Sequence, residues 1–186
     1  MFKTIIRAAA ICGALITLSA CATGAVPTAM VVSPNDAIVV APGAPGYHQL
    51  KVASVGGGSE TNPLWMSDVS NDAFKTALEA SLQGVAYLSD DPTKANLQVT
   101  AAMVDLKRPM AGLDMSVTST VRYTVAPVAG GAPVFDETIA ATGTARFGEA
   151  LAAVERLRKA NEASIKANIT LFIQHLEASL KSDGPH

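Results

Sequence analysis

Side chains that could act as nucleophiles or metal ligands are few in this chain of 186 residues. The three histidines, His48, His175 and His186, are scattered along it, and no two of them have the spacing of metal ligands. The two cysteines are Cys12 and Cys21, and no Gly-x-Ser-x-Gly motif marks a serine nucleophile. We therefore predict no catalytic residues, no metal site and no cofactor.

A glycine-rich loop has a composition that could bind phosphate. The segment Gly56-Gly57-Gly58-Ser59 lies between a predicted strand and a predicted helix, which is where phosphate loops occur. It lacks the lysine of a phosphate loop, and at least ten residues separate it from its helix. We interpret it as a flexible turn.

The pair Asp90-Asp91 precedes a proline, which is typical of a turn. Two adjacent carboxylates do not make a general acid and base, so we assign this pair no catalytic role.

Two predicted loops carry residues suited to contact with a partner. An exposed tryptophan such as Trp65, beside Leu64, can anchor a partner or touch lipid. The alternative is that this segment packs as a lid on the domain's own core. Lys107 and Arg108 form a small basic spot that could bind a lipopolysaccharide phosphate through charge-assisted hydrogen bonds, or could be a solvated hairpin tip. These four residues are our candidate partner-binding residues.

The amino terminus has the layout of a secretory signal that ends at a cysteine. Lys3 precedes an apolar run from Ile5 to Leu18, and small residues follow that run. The run is shorter than the roughly 20 residues that span a bilayer, which argues against an uncleaved membrane helix. The segment Leu18-Ser19-Ala20-Cys21 resembles the lipobox of bacterial lipoproteins. The resemblance implies cleavage between Ala20 and Cys21, a diacylglycerol on the Cys21 sulfur and acylation of the new amino group.

Lipidation at Cys21 determines where we expect the protein to work. Two or more acyl chains hold a protein stably on a membrane. An aspartate after the cysteine usually retains such proteins at the inner membrane, and here that residue is Ala22. The resemblance therefore implies the periplasmic face of the outer membrane. Because Cys12 leaves with the signal, the mature chain has no free thiol.

Charge and composition divide the chain into three parts and exclude one class of partner. There are 14 basic and 16 acidic residues, and removal of Lys3 and Arg7 with the signal leaves a formal charge of −4. This mildly acidic body gives no electrostatic basis for binding nucleic acid. We assign residues 1–20 to the signal peptide, 21–46 to a lipidated flexible tether rich in proline and glycine, and 47–186 to a single periplasmic domain. A flexible tether of this length spans roughly 25–30 Å.

Hydrophobic periodicity predicts four strands and two helices in the domain. The predicted strands cover residues 47–55, 95–107, 114–125 and 134–145, with a bulge or burial on both faces near Val104. The first helix begins after a capping Ser70 and stops at Gly84. The last runs from about 149 to 182, and Asn161 and Asn168 near its apolar stripe are expected to bond to the sheet or to buried water. The stripe consists of Leu151, Val154, Leu157, Ile165, Ile169, Phe172, Leu176 and Leu180.

This order, strand, helix, three strands, helix, predicts an α+β two-layer sandwich with a mostly antiparallel sheet covered by the long carboxyl-terminal helix. The mature body resembles the small periplasmic lipoproteins grouped as YajG-like or LPS-assembly-lipoprotein-like. The resemblance is carried by residues 18–21, by Asp114-Met115-Ser116-Val117, and by Ala160-Asn161-Glu162-Ala163 with Asn168-Ile169. It implies an envelope protein and supplies no catalytic residues.

Our leading functional hypothesis is a non-enzymatic, membrane-anchored binding or assembly module. It would bind an envelope protein or lipopolysaccharide through the sheet face or through the loops at 57–66 and 107–113. One alternative is a periplasmic enzyme that acts on a cell-wall or lipid substrate, which needs polar groups converging in a pocket. The other is an acyl-chain carrier, which needs a continuous apolar cavity.

Overall fold

The computed structural model describes residues 23–61, 67–108 and 112–182. The strands and helices follow the predicted order, and a short helix precedes them. Single 3₁₀ turns lie at Pro92–Lys94 and Phe147–Glu149. The elements are α1 (Pro27–Met30), β1 (Leu50–Gly56), α2 (Asn71–Gly84), β2 (Leu97–Lys107), β3 (Met115–Pro127), β4 (Phe135–Ala145) and α3 (Ala153–Ser182).

The four strands form one mixed sheet in the order β1-β2-β3-β4. β1 pairs parallel with β2 across the α2 crossover, and the other two pairs are antiparallel. The predicted bulge is confirmed, because the β2–β3 register shifts between Met103 and Asp105 and leaves Val104 exposed. The helices cover one face, and the α+β two-layer sandwich predicted from the sequence is therefore confirmed.

The uncovered face of the sheet is polar, as the alternation along β3 predicts. Ser116 and Thr118 on β3 face Thr144 and Thr142 on β4, with hydroxyl oxygens 2.9 and 2.7 Å apart. Farther along, Arg122 makes a bidentate ion pair with the Asp136 carboxylate. This pair raises the pKa of Arg122 and lowers the pKa of Asp136. Cross-strand pairs of this kind stabilise a solvated sheet face.

Helix α2 begins and ends where its local sequence predicts. The Ser70 hydroxyl accepts a hydrogen bond from the Ala73 amide at 3.2 Å, which satisfies one of the free donors of the first turn. Phe74, Leu78 and Leu82 recur every fourth residue and are fully buried. The helix ends at Gly84, and a following turn leads to the bridge between Leu88 and Leu50.

Helix α3 begins later than its hydrophobic pattern predicts. Arg156 donates to the carbonyl oxygens of Ala150 and Leu151, at 2.7 and 2.9 Å, and its guanidinium lies over the Phe147 ring. These contacts hold the preceding residues in an irregular turn, so the helix starts at Ala153. The assignment of Leu151 to the buried stripe was wrong, because this residue is 93% exposed. The stripe from Ile165 to Leu180 is buried, as predicted.

Aromatic packing fills the space between the helices and the sheet. The rings of Tyr123 on β3 and Phe172 on α3 are stacked with centroids 4.1 Å apart. Phe74 and Phe135 meet this pair edge-on from α2 and β4. All four side chains are buried. The centre of the sandwich is therefore a close-packed core.

The amino-terminal segment 23–46 packs against the domain, which corrects its assignment to a flexible tether. Met30 and Val32 are fully buried in the main core cluster. The Val32 amide donates to the Ser81 hydroxyl of α2 at 2.9 Å, and the Val40 amide donates to the Val85 carbonyl at 3.0 Å. The prolines and glycines in this segment turn an irregular chain across the helices. Apolar burial outweighs a composition that favours extension.

Candidate functional site

The described parts of the two loops nominated from the sequence, residues 57–59 and Arg108, lie together at one end of the sheet. A polar pocket of about 260 Å³ lies where the end of β1 and the loop after it face the bulged end of β2. This end of the sheet also holds the start of β3, since Lys107 pairs with Thr118. The pocket is lined by Gly57, Ser59, Asp68, Met103, Val104, Asp105, Leu106 and Arg108.

The chain enters the fold beside this pocket. The Ser67 hydroxyl donates to the Thr23 carbonyl at 2.8 Å, and the Ala25 amide donates to the Asp68 carbonyl at 3.0 Å. The Asp68 amide donates to the Thr61 hydroxyl at 2.9 Å. This bond joins the two described sides of the loop next to residues 23–25. We call this surface, formed by residues 23–25, Thr61, Ser67, Asp68 and Arg108, the anchor pole.

Two buried polar residues of α3 attach the anchor pole to the rest of the fold. The Asn161 side-chain amide donates to the Ser67 carbonyl at 2.8 Å. The Glu162 carboxylate accepts from the Val26 amide at 2.9 Å and pairs with Arg158 at 3.2 Å. Asn161 is fully buried and Glu162 nearly so. Since buried polar groups are costly unless they are hydrogen-bonded, these contacts specify where the amino-terminal segment lies.

Arg108 has a structural position at the pole and is not the solvated cation that the sequence suggested. Its guanidinium pairs with the Asp68 carboxylate, and the two side chains are only 23% and 11% exposed. Burial lowers the pKa of Arg108 from its usual value, although an arginine stays charged. Lys107 is exposed and lies 4.0 Å from Asp105. A carboxylate therefore lies beside each cation of the basic spot predicted for a lipopolysaccharide phosphate, and Lys107 is the more exposed of the two cations.

The glycine-rich loop is closely packed, which corrects its interpretation as a flexible turn. A side chain at Gly57 would collide with the Met103 carbonyl, and the backbone there has a φ of +78°. A side chain at Gly58 would lie 2.6 Å from the Val69 carbonyl oxygen. The Gly58 amide donates to the Asn71 side chain at 2.8 Å. These glycines allow the loop to approach β2 and the start of α2.

The remaining predicted site residues lie outside the described residues. They are Ala20 and Cys21 at the cleavage point, and Leu64 and Trp65 in the loop. The two residues that flank that loop segment, Thr61 and Ser67, both belong to the anchor pole.

The two histidines of the described chain lie on different surfaces, each beside a carboxylate. Nδ1 of His175 is 2.8 Å from Glu137, and Nδ1 of His48 is 3.3 Å from Asp90. Within residues 23–61, 67–108 and 112–182, neither histidine is hydrogen-bonded to a serine. In the same ranges no group of three or more potential ligands is placed to hold a metal ion.

A second concave surface lies along the free edge of the sheet. A groove of about 670 Å³ lies between the outer edge of β4 and the side of α3. Ala140, Ala163 and Ala167 line it with small side chains. The ion pair of Lys166 with Asp36, at 2.8 Å, lies beside it. Because the groove runs along the outside of the helix layer, it differs from the internal cavity that an acyl-chain carrier needs.

Comparison with known proteins shows similarity of fold and does not identify a family or a function. No family model matches the chain, and no curated protein matches it either. It is similar in structure to a candidate lipoprotein from Caulobacter crescentus, with a TM-score of 0.53 and 12% identity, covering 76% of this chain and 96% of that one. It is also similar to a DUF330 protein from Xanthomonas campestris, with a TM-score of 0.56 and 11% identity, covering 82% and 98%.

Sequence reasoning missed Ser67, Asp68 and Glu162, which form the pole or attach it to the fold. The prediction that Asn161 bonds to the sheet or to buried water was wrong, because its side-chain amide donates to the Ser67 carbonyl in the loop before α2. Each of these residues interacts with a residue far away in the chain, such as Asp68 with Arg108 and Asn161 with Ser67. The only local signal for these contacts was the position of Asn161 and Asn168 near the apolar stripe of α3. The prediction that Asn168 bonds to the sheet is confirmed.

Proposed function

We propose that this protein is a lipid-anchored envelope lipoprotein, held by Cys21 at the periplasmic face of the outer membrane, that binds an envelope component without catalysis. The observation that carries the proposal is the lipobox-like Leu18-Ser19-Ala20-Cys21, followed after one residue by a chain that enters a folded domain at Thr23. The shared fold with a candidate lipoprotein supports it. Within the described residues, no helix is long and apolar enough to cross a membrane. We also propose that the protein is one of the YajG-like or LPS-assembly-lipoprotein-like lipoproteins that its sequence resembles.

Metabolic labelling with palmitate tests the anchor. Cys21→Ser should abolish incorporation and release the body from the membrane fraction, because no thiol is left at the cleavage point. Cys12→Ser is the matched control and should be labelled like the parent protein, since that cysteine lies within the signal. Persistent labelling of the Cys21→Ser variant would refute lipidation at this residue. Density separation of the two membranes then tests the outer-membrane assignment.

In the binding part of the proposal, the partner contacts the anchor pole through Leu64, Trp65 and Lys107, and the Arg108–Asp68 ion pair stabilises the pole itself. A photo-crosslinking residue in place of Lys107, in cells with an intact envelope, should give a discrete adduct. The same residue in place of the exposed Thr138, on the open sheet face, should give none. Adducts at Thr138 alone would move the binding surface to the sheet.

The enzymatic alternative makes a different prediction. One form of this alternative uses His48 or His175, the imidazoles of the described chain, as its general acid or base beside Asp90 or Glu137. Turnover of a cell-wall or lipid substrate by the purified protein, lost in His175→Ala or His48→Ala, would replace binding with catalysis. Co-purification of a fatty acid or phospholipid would instead favour the carrier.

A further inference from the structure

The position of the first described residues restricts how the domain can lie on a membrane. Thr23 is fixed to the fold through its carbonyl, and Ala25 and Val26 are fixed through their amides. Two residues, Cys21 and Ala22, precede Thr23 in the chain after the cleavage point. Two residues span at most about 7 Å even when fully extended. The 25–30 Å of free chain expected from the composition does not exist, because that chain is folded against α2 and α3.

We infer that the anchor pole is the membrane-facing surface of the protein and lies at the level of the lipid headgroups. This inference rests on the proposed lipidation of Cys21. With the acyl chains in the hydrocarbon core, a link of about 7 Å is comparable to the depth of one headgroup layer. The pole therefore cannot be held clear of the membrane surface.

The orientation of the strands then places the rest of the domain. β2 ends at Lys107 next to the pole, and β3 runs from there to Pro127. A strand of 13 residues is about 40 Å long, so the turn between β3 and β4 lies at the opposite end of the sheet from the pole, and we expect it to be the part of the domain farthest from the headgroups. The polar pocket beside Asp68 and Arg108 opens at the membrane surface.

Single-cysteine labelling tests this orientation, because the mature chain has no free thiol once Cys21 is lipidated. The lipidated protein would carry a fluorophore at Ser59→Cys, in the polar pocket, or at Ala129→Cys, in the exposed β3–β4 turn. Each would be reconstituted into phosphatidylethanolamine and phosphatidylglycerol vesicles containing a headgroup nitroxide quencher. We expect several-fold stronger quenching at position 59 than at position 129. Equal quenching, or stronger quenching at 129, in protein that remains attached would overturn the inference.

Two further experiments distinguish a failure of this inference from a failure of the proposed lipid anchoring. If the chain with Cys21 intact does not attach to vesicles after processing in cells, lipid anchoring itself fails. A 20-residue Gly/Ser linker inserted between Ala22 and Thr23 should restore roughly 25 Å of free chain and weaken quenching at position 59. Unchanged quenching in the linker variant would show that the pole binds lipid by itself, which would overturn the short chain as the cause of the orientation.

Discussion

Individual buried residues determine how closely α3 approaches the sheet. The Asn168 side chain donates to the carbonyl oxygens of Ser119 and Ile139, at 3.1 and 2.9 Å, and so joins the helix to β3 and β4. At Gly143 the helix backbone passes directly over the strand. A Cβ atom there would lie 2.6 Å from the Ala160 carbonyl oxygen and 2.5 Å from the Ala163 carbonyl carbon. Rigid backbone on both sides leaves such an atom no space.

We therefore expect Gly143→Ala to destabilise the fold by about 1–3 kcal/mol, because the added methyl must push α3 away from β4. Gly148→Ala is the matched control, since no atom lies within 4 Å of its added methyl and its φ is not in the left-handed region. Urea unfolding of both variants measures the difference. Parent-like stability of Gly143→Ala would show that the helix does not contact the strand this closely.

At the scale of the elements, α3 is the main cover of the sheet. It has 30 residues, about 45 Å of helix, and its buried stripe from Ile165 to Leu180 packs on β3 and β4. The amino-terminal residues of the predicted stripe do not follow the pattern, because Arg156 holds the chain before Ala153 in a turn. Hydrophobic periodicity locates the interior of a helix better than its ends.

Two substitutions at similar aliphatic residues test this account of α3. Ile169→Ala should cost about 2–5 kcal/mol of stability, since the side chain is completely buried and a cavity would remain. Leu151→Ala should change stability by less than about 0.5 kcal/mol, because that side chain is exposed. Thermal and urea unfolding report both values. Similar costs for the two variants would contradict the start of the helix at Ala153.

For the whole molecule, the decisive feature is the packing of residues 23–46. This segment crosses α2 and α3 and contributes Met30, Val32 and Val40 to the main core. The domain is therefore larger than the 47–186 unit predicted from composition, and the chain that precedes it is shorter. Under the proposed lipidation of Cys21, this change moves the expected position of the folded body from clear of the membrane to against it.

Met30→Ala tests whether the segment belongs to the fold. The loss of a completely buried methionine should cost about 2–5 kcal/mol, whereas the same change in a free tether would cost nothing. Ile38→Ala, at a residue of the same segment that is 60% exposed, is the control and should be close to neutral. If protease digestion removes residues 23–46 without loss of stability, the segment is not part of the core.

Local sequence patterns were sufficient to predict the order of elements, the α+β sandwich, the cap of α2 and an irregularity in β2 that the structure shows to be a bulge. These features follow from periodicity and from contacts between residues a few positions apart, which a single chain displays directly. The lipobox-like segment at residues 18–21 is also a local pattern, and the lipidation that it implies stays a prediction. For the site, the sequence nominated the loops at 57–66 and 107–113 separately and interpreted Arg108 as a solvated charge.

The contact between the described parts of these loops, and the contact of residues 23–25 with them, depend on the tertiary fold. Arg108 meets Asp68 across 40 positions of sequence, and Asn161 meets Ser67 across 94. The proline-rich segment packs because Met30 and Val32 join the core cluster beside α2 and α3, and that apolar surface exists only after the domain has folded. The proline and glycine content of the segment describes only its conformational preference as an isolated chain. The burial of Met30 and Val32 depends on an apolar surface formed by residues far away in the sequence, so local propensity could not predict it.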